Sequence, residues 1–293
     1  MTEGDDKRTR RRLDGIKFSK RPNWYDPAST SNWAATVMSN PDIPMEVLDH
    51  IVNLLHNEMD ALKSCCLASK SWIPRTRKHL FADVKFRDTA DMKAWRSTFL
   101  DPSTSPACYT KSLIIQDIED VTAQDAEEGG YIPTFSRVKH FEVNINSPRI
   151  FLVPFHGFSP AIKSLHIKSL FFPCSHIFNL ICSFPLLEDL SLASSGQTPD
   201  IDSNEQPASR PSSSPAFTGS LKLSFGEGIS LVASWLLSLP GGLHFRRFKI
   251  ILRCEEDILP AGALIEGCSS TLESLEIDSW VFRTSILYPR SHQ

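Results

Sequence analysis

No run of apolar residues in this 293-residue chain reaches the ~18–20 that a helix needs to cross a bilayer. The amino end is charged and lacks the apolar core of a secretory signal, so the expected location is cytosolic and/or nuclear, with no membrane contact. Glycine is sparse, at 13 residues, and forms none of the patterns that cradle a phosphate or carry a nucleophile: there is no GxGxxG, no GxxxxGKS/T and no GxSxG. Gly226-Glu227-Gly228 lacks a third glycine and reads as a turn leading into a helix. HExxH is also missing. His50 and His56 stand six apart, a spacing that does not bring two ligands to one side of a helix. The seven cysteines form no CxxC pair, which excludes a zinc knuckle or a thioredoxin-type centre, and they read as small buried hydrophobes in a reducing compartment. The acidic pairs Glu127-Glu128 and Glu255-Glu256 read as solvated surface. Charge is close to balanced, with 31 basic and 34 acidic residues and a net −3, which argues against a dedicated nucleic-acid binder. The chain reads as a non-enzyme with no cofactor and no metal; an enzyme with an unrecognised site is the remaining reading of its α/β layout.

What is present is a soluble globular composition, 41% hydrophobic and 22% charged, in a length that suits one large or two ordinary domains. The stretch over residues 41–81 is organised first. A helix opens at Ile43-Pro44, where proline suits the first helical position because its missing N–H has no partner there anyway. Glu46 then lies near the positive end of the helix dipole. Val47, Leu48, Ile51, Leu54 and Leu55 recur at three- and four-residue steps and make one apolar stripe. Asp60 is placed to cap a second helix holding Leu62, Cys65, Cys66 and Leu67, and Trp72 closes the run. Pro74 forces a break or a new first turn. About 40 residues in two or three helices cannot bury this much apolar surface alone.

These residues resemble the F-box. The Ile-Pro start, the Ile51/Leu55 stripe, the Leu62-Lys63-x-Cys65-x-Leu67 segment and the Ser71-Trp72 ending follow its pattern, with Ile43 where leucine is usual. The resemblance implies docking onto a Skp-family adaptor and, through it, a cullin-type ubiquitin ligase. Carried over position by position, the adaptor-binding residues are Ile43, Pro44, Val47, Leu48, Ile51, Leu55, Leu62, Leu67 and Trp72. Some of these must instead pack the helices on one another, and the sequence does not sort the two sets. The whole layout is similar to F-box proteins with degenerate leucine-rich repeats, which are abundant in mushroom-forming fungi. That implies an α/β protein: a short helical F-box, then an irregular leucine-rich-repeat-like solenoid with a parallel sheet. The expected function is a substrate receptor of a cullin-type (SCF) ligase. The alternative is an F-box-like repeat scaffold for protein–protein interaction outside any ligase.

The expected domains are a disordered basic tail over 1–39, the F-box over 40–81 and the repeat domain over 82–293. The tail carries 8 Lys and Arg against 5 Asp and Glu, including Lys7, Arg8, Arg10, Arg11 and Arg12. It reads as a solvated tail, a nuclear localisation signal or a weak RNA-binding segment. Trp24, Tyr25 and Trp33 are unusual there and suit a short contact with the folded part.

Downstream, an apolar residue, two positions, a second apolar residue, one position and a third recur. Phe81-x-x-Val84-x-Phe86, Val138-x-x-Phe141-x-Val143, Ile162-x-x-Leu165-x-Ile167, Leu187-x-x-Leu190-x-Leu192, Phe245-x-x-Phe248-x-Ile250 and Leu272-x-x-Leu275-x-Ile277 are complete. Leu113-x-Ile115 and Leu221-x-Leu223 lack the first apolar position. The middle residues are separated by 24 to 31 positions, within and just above the ~20–29 of leucine-rich repeats. Each unit predicts one short strand, alternate residues inward, stacked into a parallel sheet. The asparagine usual after such strands is missing in most copies.

The intervening segments predict helices. Asp88 is placed to cap one bearing Met92, Trp95 and Phe99 on a single face. Ser175 is placed to cap another that ends near Pro185. Residues 226–239 hold Ile229, Val232, Leu236 and Leu239 at helical steps before Pro240-Gly241-Gly242, and 261–268 is a shorter candidate. Residues 101–106 predict a loop, and the Ser/Pro-rich stretch 196–219 a mobile one. The last strand pattern is followed by no visible polar cap, which suggests a short or truncated array.

Overall fold

The computed structural model describes residues 44–101, 104–116, 135–145, 159–169, 174–194, 215, 217–225 and 229–279. Ile43, the basic tail, most of 196–219, Gly226-Glu227-Gly228 and the segment after residue 279 lie outside these.

Among the described residues three helices come first: α1 (Met45–Leu54), α2 (Met59–Ala68) and α3 (Ile73–Leu80), with a 3-10 turn, Lys70–Trp72, leading into the third. Pro44 is the N-cap of α1. Pro74 sits in the first turn of α3, where a missing N–H removes no helical bond, so it starts a helix rather than ending the fold of the segment. Asp60 is not a cap: α2 begins one residue earlier, and the Asp60 carboxylate instead takes Lys63 Nζ at 3.0 Å one turn on.

Eight strands follow: β1 (Asp83–Phe86), β2 (Ser112–Ile115), β3 (His140–Ile145), β4 (Ser164–Ser169), β5 (Asp189–Ser194), β6 (Ser220–Ser224), β7 (Arg247–Leu252) and β8 (Ser274–Ser279). They form one all-parallel sheet in chain order, each strand hydrogen-bonded to the next. The middle apolar residues of the sequence units stand in a single register across it: Val84, Leu113, Phe141, Leu165, Leu190, Leu221, Phe248 and Leu275. The third apolar residues make a second row, from Phe86 to Ile277. The period of two turns both rows to the same face.

Helices α4 (Thr89–Thr98), α5 (Cys174–Cys182), α6 (Ile229–Leu237) and α7 (Ile258–Cys268) connect strands, as parallel pairing requires. Their apolar faces and the two strand rows bury one continuous core. Asp88 does cap α4, accepting the Asp91 N–H at 2.8 Å, and Trp95 is buried with Met92 and Phe99 packed beside it. Ser175 is not a cap, because α5 already begins at Cys174. α7 is longer than 261–268. Pro260 falls within its first turn, where no helical N–H bond is lost.

Two sites complete the incomplete units. At Thr110, where β2 lacks its first apolar residue, a fully buried threonine fills the place, and its Oγ1 has no hydrogen-bond partner. Before β6 the place falls on exposed Thr218, and the neighbouring Phe217 turns in instead. Doing so puts Phe217 at φ 43°, the left-handed region, and sets its ring 4.9 Å from that of Phe245. Pro215 and Phe217 are thus buried ends of the stretch expected to be a mobile loop. Gly219 follows, and a Cβ there would lie 2.5 Å from Asp189 Oδ1 and 2.9 Å from the Glu188 carbonyl oxygen.

Leu275 and Ile277 of β8 hold core register yet are exposed. Of the six cysteines whose side chains are described, all free, only Cys268 is buried; Cys108 is exposed and four are half-buried, so the expectation of buried thiols holds for one of these. Among the described residues no helix is long and apolar enough to cross a membrane.

Candidate functional site

The buried residues of the first helices, Leu48, Val52 and Leu62, stand apart from the continuous core of the sheet. They are held by polar contacts to α3. Asp49 and Asn53 are one turn apart on α1, and Arg75 and His79 one turn apart on α3. Arg75 Nε lies 2.6 Å from Asp49 Oδ1, and His79 Nε2 lies 3.1 Å from Asn53 Oδ1. Arg75 Nη1 also donates to the Ser71 carbonyl at 3.1 Å. On the other side, buried Thr76 hydrogen-bonds Cys66 Sγ at 2.7 Å and donates back to the Trp72 carbonyl at 2.9 Å, tying α3 to α2. α3 in turn packs on the 3-10 turn Pro106–Tyr109, which precedes β2. α1 packs on α3 as well.

This arrangement sorts the nine sequence-expected residues. Leu48 and Leu62 are buried, apart from the core of the sheet. Ile51, Leu55 and Trp72 are half-buried. Pro44, Val47 and Leu67 are exposed, Val47 to 45% and Leu67 to 68%. Ile43 lies outside the described residues. Leu54, 68% exposed, belongs to the same stripe, and Met45 is exposed beside it.

Helical geometry accounts for the division of α1. At about 100° per residue, Leu55, Leu48 and Val52 occupy one arc, and Ile51, Val47 and Leu54 the adjoining one. The first arc is buried at Leu48 and Val52 and half-buried at Leu55; the second is exposed at Val47 and Leu54 and half-buried at Ile51. On α2, Leu62, Cys66 and Cys65 share the inward side, while Leu67 points away. The apolar stripe is thus wider than the helix packing uses. Exposed single hydrophobes are ordinary on a protein surface; Val47, Leu54 and Ile51 on one arc are not scattered.

Burial holds His79 below the ordinary histidine range, with the charges of His56, Lys111 and Lys78 acting in the same direction. Among the described residues no group of three or more His, Cys, Asp or Glu is gathered to hold a metal ion. His166 on β4 is part-exposed, 4.0 Å from Glu142 Oε2. His50 is exposed on α1. The paired spacing of Asp49/Asn53 with Arg75/His79 went unread in the sequence, although matched polar pairs one turn apart on two helices are a detectable signal.

No protein-family model matches the chain, and comparisons with curated proteins and with solved structures found no match.

Proposed function

We propose that the chain is the substrate-receptor subunit of a cullin-type (SCF) ubiquitin ligase. In this reading α1–α3 are the F-box and bind a Skp-family adaptor, and the sheet with its helices is a degenerate leucine-rich-repeat domain that binds a target protein. The receptor carries out no bond chemistry. It holds the target beside the ligase, where effective concentration replaces diffusion.

The observation that carries the reading is the bare apolar arc of α1, Val47, Leu54 and part-covered Ile51, with Leu67 bare on α2. An apolar arc next to a packed one suits a helix pair finished by a second polypeptide. The in-register rows from Val84 to Leu275, one per unit of 24 to 31 residues, support the repeat half of the reading.

Co-purification with the adaptor tests it, comparing the wild type with Pro44→Ala/Ile51→Asp. The wild type is expected to bring down adaptor and cullin, and the variant neither. Equal recovery from both sinks the reading. Adaptor without cullin would instead favour a scaffold outside any ligase.

A further inference from the structure

Among the described residues, almost every acidic side chain on the face of the sheet opposite the core, or at the edge where the strands begin, already has a partner. Glu188 takes Lys163 at 2.5 Å, and Asp189 accepts the N–H and hydroxyl of Ser220 while standing 3.6 Å from Arg247. Glu142 faces His166, Glu273 faces Arg246, and Glu276 and Asp278 both face Lys249. Asp83 is the exception. The cations are not balanced in return: Lys85, Lys111, Lys139, Lys168 and Lys222 make no ion pair among the described residues.

The surplus is concentrated over the first four strands. There, among the described residues, the open face and the edge where the strands begin hold Lys85, Lys111, Lys139, Lys163 and Lys168 against Asp83, Glu142 and the Glu188 that pairs Lys163, in a chain whose net charge is −3. Lys111, Lys139 and Lys163 occupy one step of the ladder, the Lys139 N–H donating to the Lys111 carbonyl and the Lys163 N–H to that of Lys139. Neighbouring strands are about 4.8 Å apart. Like charges so placed destabilise a sheet, and only Lys163 has an acidic neighbour to relieve it.

We infer that this basic half of the sheet is where the target docks, and that the target presents an acidic polypeptide segment. The inference rests on the receptor reading above and names the chemistry of its target. Charge complementarity selects the partner, since unpaired lysines at strand spacing offer a carboxylate-bearing chain several cations at once. Nucleic acid fits less well. Glu276 and Asp278 on the last strand, with Glu273 just before it, repel a phosphate backbone carried across the sheet, and the face positions of the eight strands carry no Phe, Tyr or Trp on which a base would stack.

Fluorescence anisotropy with the full chain tests the surface. The probes are a labelled poly-glutamate peptide, a poly-glutamine peptide of equal length and a single-stranded oligothymidylate. Poly-glutamate is expected to bind, to weaken steeply with salt and to lose about tenfold or more on Lys111→Ser/Lys139→Ser/Lys168→Ser. Lys93→Ser, on exposed α4 surface, is expected to leave binding unchanged. Lys85→Ser/Lys139→Ser, also within the first four strands, provides a second reading should the triple variant fold poorly. Failure of the wild type to bind poly-glutamate, equal binding by the lysine variants, or tighter binding of oligothymidylate overturns the inference. Adaptor capture run on the same proteins separates the two proposals: peptide binding without adaptor binding would remove the receptor reading and leave the acidic-segment surface standing.

Discussion

The Asp49 carboxylate on α1 stands 2.6 Å from Arg75 Nε on α3, across the seam that holds α1 in place. The pair is a charge contact without hydrogen-bond alignment, since Nε has no hydrogen-bond partner. Arg75 is largely covered and Asp49 half exposed. Removing the acid therefore leaves a guanidinium in poor contact with water. Asp49→Ala is expected to destabilise the α1–α3 unit by about 1–2 kcal/mol, between the values of surface and buried pairs. Hydrogen exchange at the α1 amides reads this, as faster exchange in α1 with the β-strand amides unchanged.

Thr110 offers the opposite sign. Its hydroxyl is buried and unpartnered where the pattern asks for an apolar residue. Thr110→Val keeps the β-branched shape and removes the unsatisfied group. A gain of about 1 kcal/mol in urea denaturation is expected.

Gly219 is required by close approach. An added methyl meets Asp189 Oδ1 and the Glu188 backbone, and Asp189 cannot swing away without giving up Ser220. Gly219→Ala is expected to lose about 1–3 kcal/mol, read as a lower urea midpoint at unchanged slope.

Acid should weaken the fold through its histidines. Burial holds both His79 and His166 below 6.5; at His166 the Glu142 charge opposes that shift, while Lys222 and Lys168 add to it. With the folded values lowered, the unfolded chain binds more protons as pH falls through 6.5, and stability present above that pH is lost below it. His166→Gln is expected to flatten the dependence of the urea midpoint on pH between neutral and mildly acidic buffer. A pH dependence as steep in the variant as in the wild type would contradict a lowered His166.

Much of the sheet was legible because its signal is local and repeated. Val84, Leu113, Phe141 and their counterparts each sit two positions from another inward residue, and a single period fixes both strand and register. The exceptions are places where tertiary structure substituted for pattern. Phe217 adopts a left-handed backbone to replace a missing apolar position, and Asp60 and Ser175 resembled caps but lie inside helices that start earlier. Such boundaries are set within a residue or two by competing turns. The site was half legible. The stripe from Val47 to Leu55 declares an apolar helix, but hydrophobicity alone does not say which arc turns in. That choice falls to Arg75 and His79, whose contacts with Asp49 and Asn53 go with Leu48 and Val52 turned inward and Val47 and Leu54 left outside.

The most direct test of the central claim is titration of the purified full chain with a purified Skp-family adaptor, comparing wild type with Val47→Asp and Leu67→Asp. Both variants alter exposed side chains, so their urea midpoints are expected to match the wild type, whereas Leu62→Ala, in the buried set, is expected to lose about 2–5 kcal/mol. The account predicts saturable binding by the wild type and a loss of about 2 kcal/mol or more in affinity for each face variant. Absence of binding by the wild type, or equal affinity among the three proteins, would contradict it.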